Sequence, residues 1–171
     1  MVNITNLEAQ REERALGSNQ AIHSYNGTLL WKIDNFNRKR QDAINGVKNA
    51  WYSPPFYSSQ YGYKMCAKIY MNGDSRGNGT HLSFFFVIMK GDFDALQTWP
   101  FQKKITMMLI AQGNGDHMID AFHSYPQSSL FQRPESDMNP FGLPLLIWPI
   151  ESLSNLSFIK DDTMFIKLVV E

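Results

Sequence analysis

His117 and His123 flank a stretch that also holds Asp116, Asp120 and Ser124, the residue types of a metal site or of a Ser-His-Asp set. The two histidines share strand parity, but no His-X-His or His-Glu-X-X-His spacing accompanies them, and Ser124 has no strand-to-helix elbow to present it. The reading that follows is polar surface around a hairpin. Asp161 and Asp162 are adjacent, so on a strand they point to opposite faces and cannot share acid and base roles; a turn is the alternative. Gly73, Gly77 and Gly79 open no helix and form no phosphate cradle. Arg38-Lys39-Arg40 lacks interleaved aromatics, which favours a solvated face over contact with nucleic acid. Cys66 shares its face with Lys64 and Lys68, but no His or Asn partner accompanies it, and the reading is structural. No catalytic, metal or cofactor site emerges.

Binding chemistry is better represented. Within residues 63–71, Lys64, Cys66, Lys68 and Tyr70 fall on one parity and Met65, Ala67, Ile69 and Met71 on the other. Period-2 alternation marks a strand with one face on a core and one in water. Residues 72–79, NGDSRGNG, reverse the chain, and residues 81–89 form a nearly continuous apolar return strand. Phe84, Phe85 and Phe86 cannot all face one core, so at least one points outward. A wet face with Lys68 and Tyr70 at i, i+2, beside surplus phenylalanine, reads as a binding surface.

The elements that hold this hairpin are read from punctuation and periodicity. Residues 5–16, TNLEAQREERAL, are strong helix formers with Thr5 as N-cap, though Arg11 and Arg14 interrupt the a/d seam begun by Ile4 and Leu7. The boundary falls near residue 22, giving a lead-in over 1–21 and a β domain over 22–171. Strands are expected at 28–33, 104–112, 117–122 and 163–170, with a mildly helical excursion at 38–45. Pro54-Pro55 confines residues 50–57 to a sheet edge, and Pro144 and Pro149 do the same for 143–150. Trp99-Pro100-Phe101 reads as a core plug. About eight short strands with almost no amphipathic helix argue an all-β antiparallel sandwich.

Composition narrows the function classes. Sixteen basic residues balance sixteen acidic ones, so no global field favours nucleic acid or an anionic membrane. One cysteine excludes an internal disulfide framework and fits a reducing, cytoplasmic compartment. No apolar run approaches the roughly 20 residues of a spanning helix, and the first residues lack the features of a signal peptide. The sequons at Asn3, Asn26, Asn78 and Asn155 are then accidents of composition.

Read together, SYNGTLLWKI, FYSSQYGYKMCAKIYMNGD, GNGTHLSFFFVIMKG, DALQTWPFQKKITMMLIAQ and IKDDTMFIKLVVE resemble the C-terminal TRAF domain. That is the MATH-fold module of the tumour necrosis factor receptor-associated factors. The resemblance runs from about residue 24 to 171, and residues 1–21 resemble the end of a coiled-coil stalk. The hairpin tip and the loop after DAF place it nearer the members that read Gln-containing tails. It implies an eight-stranded antiparallel β-sandwich in a mushroom-shaped homotrimer. Cytoplasmic tails of receptors or adaptor proteins would bind as extended strands along one sheet edge.

Carried over by position, the basic-aromatic pair facing the acidic end of a bound motif falls on Lys68 and Tyr70, with Asp74 nearby. Lys68 stands where close relatives have Arg, keeping the charge without the bidentate fork. The hydroxyls that clasp the motif's Gln or Glu fall on Ser128 and Ser129, with Leu130 where relatives have a third Ser. A pocket for a small or Pro residue falls on Phe85, Met107, Phe122 and Phe131, and the pairing strand near Gly142, within a one-residue-shorter MNPFGLP. The expected function is an intracellular scaffold, with no enzymatic activity, no cofactor and no direct membrane insertion. A MATH-type substrate-recognition module for ubiquitin ligation is the alternative, and a Ser-His-Asp hydrolase the disfavoured third reading.

Overall fold

The computed structural model describes residues 24–74, 78–140, 142–155 and 157–171. The expected lead-in helix over 1–21 lies outside them. Nine strands form among these residues: β1 (Thr28–Ile33), β2 (Ala50–Tyr52), β3 (Phe56–Tyr57), β4 (Lys64–Tyr70), β5 (His81–Met89), β6 (Lys104–Leu109), β7 (Met118–His123), β8 (Leu143–Pro149) and β9 (Met164–Val170). All pair antiparallel, in a four-stranded sheet ordered β1-β9-β6-β7 and a second sheet ordered β2-β4-β5-β8, with β3 also on β4.

β2 and β3 are two pieces of one interrupted edge, so the expected eight strands appear as nine. β2 pairs Tyr52 with Lys68, and β3 pairs Phe56 with Met65. Three residues therefore face two. Proline lacks an N–H for the ladder, and at Pro54-Pro55 the ladder stops. Ser53 bridges the gap: its N–H donates to the Ala67 carbonyl at 2.9 Å, and its Oγ accepts from the Ala67 N–H at 2.8 Å. The other proline-bearing run, β8, closes the opposite edge of the same sheet, as its sequence predicts.

The core lies between the sheets. Leu29, Trp31, Ile33, Ile105, Met107, Leu109, Ile166 and Leu168 face Met65, Ala67, Ile69, Leu82, Phe84, Phe86 and Ile88, all buried. These positions alternate along each strand, as a one-sided sheet requires. Phe101 is wholly buried, and Trp99 is half-buried, edge-on to Tyr63 with its Nε1–H donating to the Asp94 carbonyl. The plug is core at Phe101 and rim at Trp99.

Helix α1 (Phe36–Ile44) is the polar excursion after β1, and α2 (Ile150–Asn155) follows β8. Asp162 terminates α1 at its start: its carbonyl accepts from Phe36 N–H at 3.0 Å and its Oδ1 from Asn37 N–H at 2.9 Å. Asp161 and Asp162 both have positive φ, 52° and 56°, so the pair is a left-handed turn into β9.

Candidate functional site

Paired residues of antiparallel strands point to the same side, so the β4–β5 register defines the outer face of the five-stranded sheet. Lys68 stands opposite Phe85 and Tyr70 opposite Ser83. Phe84 and Phe86 turn inward and are buried, which leaves Phe85 as the outward member of the triple phenylalanine. Its ring meets Tyr70 edge-on with centroids 5.6 Å apart, and Lys68 Nζ lies 4.7 Å from the Tyr70 ring. Asp74 closes the tip end of this patch: its N–H donates to Ser83 Oγ, and Ser83 Oγ donates to Asp74 Oδ1 at 3.1 Å. A shallow cleft of 610 Å³ lined by Asn49, Tyr70, Asn72 and Asp74 continues from there.

Burial alone would depress the Lys68 ammonium, but hydrogen bonds to the Tyr70 and Tyr52 hydroxyls outweigh it, and its pKa stands above the usual lysine value. Lys68 is a fixed positive charge at neutral pH. Cys66, on the same parity, is only 1% exposed, and burial pushes its thiol up to about 12 against the opposing pull of Lys64 and Lys68. The face is polar at Lys68 and Tyr70 and sealed at Cys66.

Gly142 sits tight against β5. A Cβ there would meet Phe86 O at 2.8 Å, Phe85 Cβ at 2.9 Å and Val87 Cγ2 at 3.0 Å. Only glycine lets the chain enter β8 this close to its neighbour. β8 then runs as the end strand of its sheet, so its outer hydrogen-bonding edge has no partner strand among the described residues. β7, the end strand of the other sheet, adjoins β8. Phe122 on β7 stands opposite Ile105 and packs half-buried against the core.

Ser128 and Ser129 lie on the loop after β7. Ser128 Oγ accepts from Leu130 N–H at 3.3 Å and caps a single 3-10 turn, Ser129–Phe131, that packs against β5. Phe131, 1% exposed, anchors this turn by stacking on Phe101 with centroids 6.1 Å apart. Met107 is 2% exposed within the core. Of the four side chains that the resemblance puts around one pocket, Phe85 and Phe122 are partly exposed, while Met107 and Phe131 are buried in the core. The structure thus gathers Lys68, Tyr70, Asp74 and Phe85 on one face, with Gly142 at its margin and the serine turn further along β5.

The residues with catalytic types are employed structurally. His117 Nδ1 accepts from Ala111 N–H at 2.9 Å, and Ser124 Oγ accepts from Lys103 N–H at 2.9 Å. His117 and His123 are separated by six residues of extended chain, about 20 Å. Among the described residues no group of three His, Cys, Asp or Glu side chains is placed to hold a metal. Lys39 pairs with Asp34 at 2.9 Å, and Arg40 donates to Met71 O, Asn72 Oδ1 and Gly79 O, tying α1 to the hairpin tip.

The sequence profile of the TRAF/meprin, MATH domain family matches residues 48–167. The chain belongs to this family. Human TNF receptor-associated factor 2 is 52% identical over 149 residues, covering 86% of this chain and 30% of that protein. Human TNF receptor-associated factor 1 is 46% identical over 150 residues, covering 86% of this chain and 36% of that protein. The solved structure of Notothenia coriiceps TRAF5 superposes with a TM-score of 0.86 at 34% identity, covering 98% of this chain and 85% of that one. This MATH domain spans about a third of the length of the curated relatives it matches. No helix among its described residues is long and apolar enough to cross a membrane.

Sequence reasoning missed Asn139. It is buried, its Nδ2 donates to Leu130 O at 2.8 Å and Gln132 O at 3.0 Å, and its N–H donates to Ile88 O. One residue thus ties the serine turn, at Leu130 and at Gln132 just past it, to the end of β5. Nothing in a loop asparagine signals this, because its partners are carbonyls seven and nine residues away. Tyr52 was missed as well, although its parity opposite Lys68 was available once β2 was placed on the edge.

Proposed function

We propose that this MATH domain is a cytoplasmic signalling-adaptor module that binds short extended motifs in receptor or adaptor tails by adding them as a strand to β8. The observation that carries this reading is the open β8 edge beside an outer face bearing Lys68, Tyr70 and Phe85. An unpaired edge offers backbone N–H and C=O groups to any extended chain, and the flanking side chains select among chains. From Ile88, where Asn139 fastens the serine turn, to Ser83, opposite Tyr70, is five residues of β5, about 17 Å. A ligand of five or six extended residues covers that span. Its acidic end meets Lys68 and Tyr70, with Asp74 at the margin. Its central Gln or Glu meets Ser128 and Ser129, and a small residue or Pro packs on Phe85 and Phe122, backed by Met107 and Phe131. The names of the relatives, TNF receptor-associated factors, support receptors of that kind as the source of the tails.

So short a ligand buries far less than a standard protein interface, which sets single-site affinity at about 10 μM to 1 mM. Trimerisation supplies avidity against clustered receptors. A surface that suits contact between copies lies at the other end of β4: a cleft of 550 Å³ lined by Tyr25, Tyr57, Tyr61, Phe93, Lys64 and Asp92. Tyr25 stacks on Tyr57 and Tyr61 meets Phe93 edge-on, yet Tyr25 and Tyr61 remain more than half exposed.

A peptide array of receptor cytoplasmic-tail segments tests the function. Enrichment of segments with Gln or Glu two residues before an acidic residue is expected. Binding spread over unrelated segments, or none, would remove the reading.

A further inference from the structure

The outer face does not end at Lys68. In register, Tyr52 stands opposite Lys68, Lys68 opposite Phe85, and Phe85 opposite Pro144. Four strands therefore contribute one row on one face, about 14 Å long from the β2 edge to the β8 edge, with a β-bulge where it crosses from β5 to β8. Tyr52 is 46% exposed at the far end of that row. Lys68 Nζ lies 5.0 Å from its ring and 4.7 Å from the ring of Tyr70, so two phenols flank one ammonium. Among the described residues no carboxylate stands within ion-pair distance of Lys68. Asp74, on the same hairpin, is hydrogen-bonded to Ser83.

We infer that Tyr52 is a further specificity-determining residue of the peptide site, its hydroxyl joining that of Tyr70 around the Lys68 ammonium to receive one ligand carboxylate. The inference rests on the peptide-binding reading proposed above. A lysine ammonium is a point charge on a flexible stem and imposes little geometry on a carboxylate. Phenol hydroxyls are directional donors on stiff rings. With one phenol on β2 and one on β4, a carboxylate over Lys68 can take two O–H bonds in addition to the ion pair. Ring contact with both tyrosines also limits the ammonium's rotamers before the ligand arrives, which lowers the ordering cost of binding. Charge-assisted hydrogen bonds of this kind are the strong ones.

The test uses two tail peptides, identical except for Glu or Gln at the acidic position, titrated by calorimetry into the parent and into Tyr52→Phe. The phenylalanine keeps the ring and the edge packing, so the thermal midpoint should stay at the parent value. Tyr52→Phe should weaken the Glu peptide by about fivefold to tenfold and leave the Gln peptide within about twofold. Tyr70→Phe should show the same pattern. An unchanged Glu-to-Gln preference in Tyr52→Phe, or an equal loss for both peptides, would overturn the role assigned to Tyr52 while leaving the peptide site in place. Failure of the parent to bind either peptide would remove the site and this inference with it.

Discussion

Strand parity sorted the side chains of β4 with one exception. Lys68, Tyr70 and the outward Phe85 fell where alternation puts them, but Cys66, on the wet parity, is sealed. Its burial depends on partners no periodicity reports: Val87 opposite it, and the close entry of Gly142 onto Val87. The thiol pKa of about 12 follows from that enclosure. A thiolate is the reactive form, and the fraction present at pH 8 is about one in ten thousand. Native protein should therefore label with iodoacetamide at least a hundredfold more slowly than urea-unfolded protein at pH 8, and should remain slow to pH 10. Comparable native and unfolded rates would place Cys66 at the surface. The serine pair is the opposite case. Ser128 and Ser129 carry no pattern of their own, and only the family resemblance singled them out.

At the scale of elements, both edges of the five-stranded sheet were legible because proline cannot donate to a ladder, and both proline-bearing runs are end strands. What holds the hairpin tip and the serine turn was not legible, because it depends on single polar side chains reaching across the fold. Arg40 fixes the hairpin tip to α1, Asp162 caps α1, and Asn139 fastens the serine turn. Asn139→Ala leaves two carbonyls without their donor in a buried site, at about 1–3 kcal/mol each. Denaturant unfolding should show a lowered midpoint with an unchanged slope, and affinity for a Gln-containing peptide should fall together with it. A parent-like midpoint would mean that Phe131 alone anchors the turn.

For the whole molecule, the all-β sandwich followed from short alternating runs and turn residues, whereas the order β1-β9-β6-β7 could not. Pairing between segments more than a hundred residues apart, such as β1 with β9, leaves no trace in local periodicity. The exposed cluster of Tyr25, Tyr61 and Phe93 is likewise a product of assembly, drawn from three loops. Aromatic surface of this kind suits a contact with another chain. Residues 1–21 offer few apolar seam positions against Arg11 and Arg14, so self-association should be weak. Sedimentation equilibrium should fit a monomer–trimer equilibrium at micromolar to millimolar concentration. A dimer at every concentration would contradict it.

The central claim is that one extended peptide engages both the Lys68–Tyr70 face and the serine turn. Calorimetric titration of a single Pro-x-Gln-x-Glu peptide into the parent, Tyr70→Ala and the Ser128→Ala/Ser129→Ala double variant tests it directly. Aromatic anchors dominate such interfaces, so Tyr70→Ala should cost more than about 1 kcal/mol. The double serine variant should remove the preference for Gln over Leu at the central position, since an unpaired amide costs about 1–3 kcal/mol. Parent-like affinity and selectivity in both variants would place the peptide elsewhere on the domain.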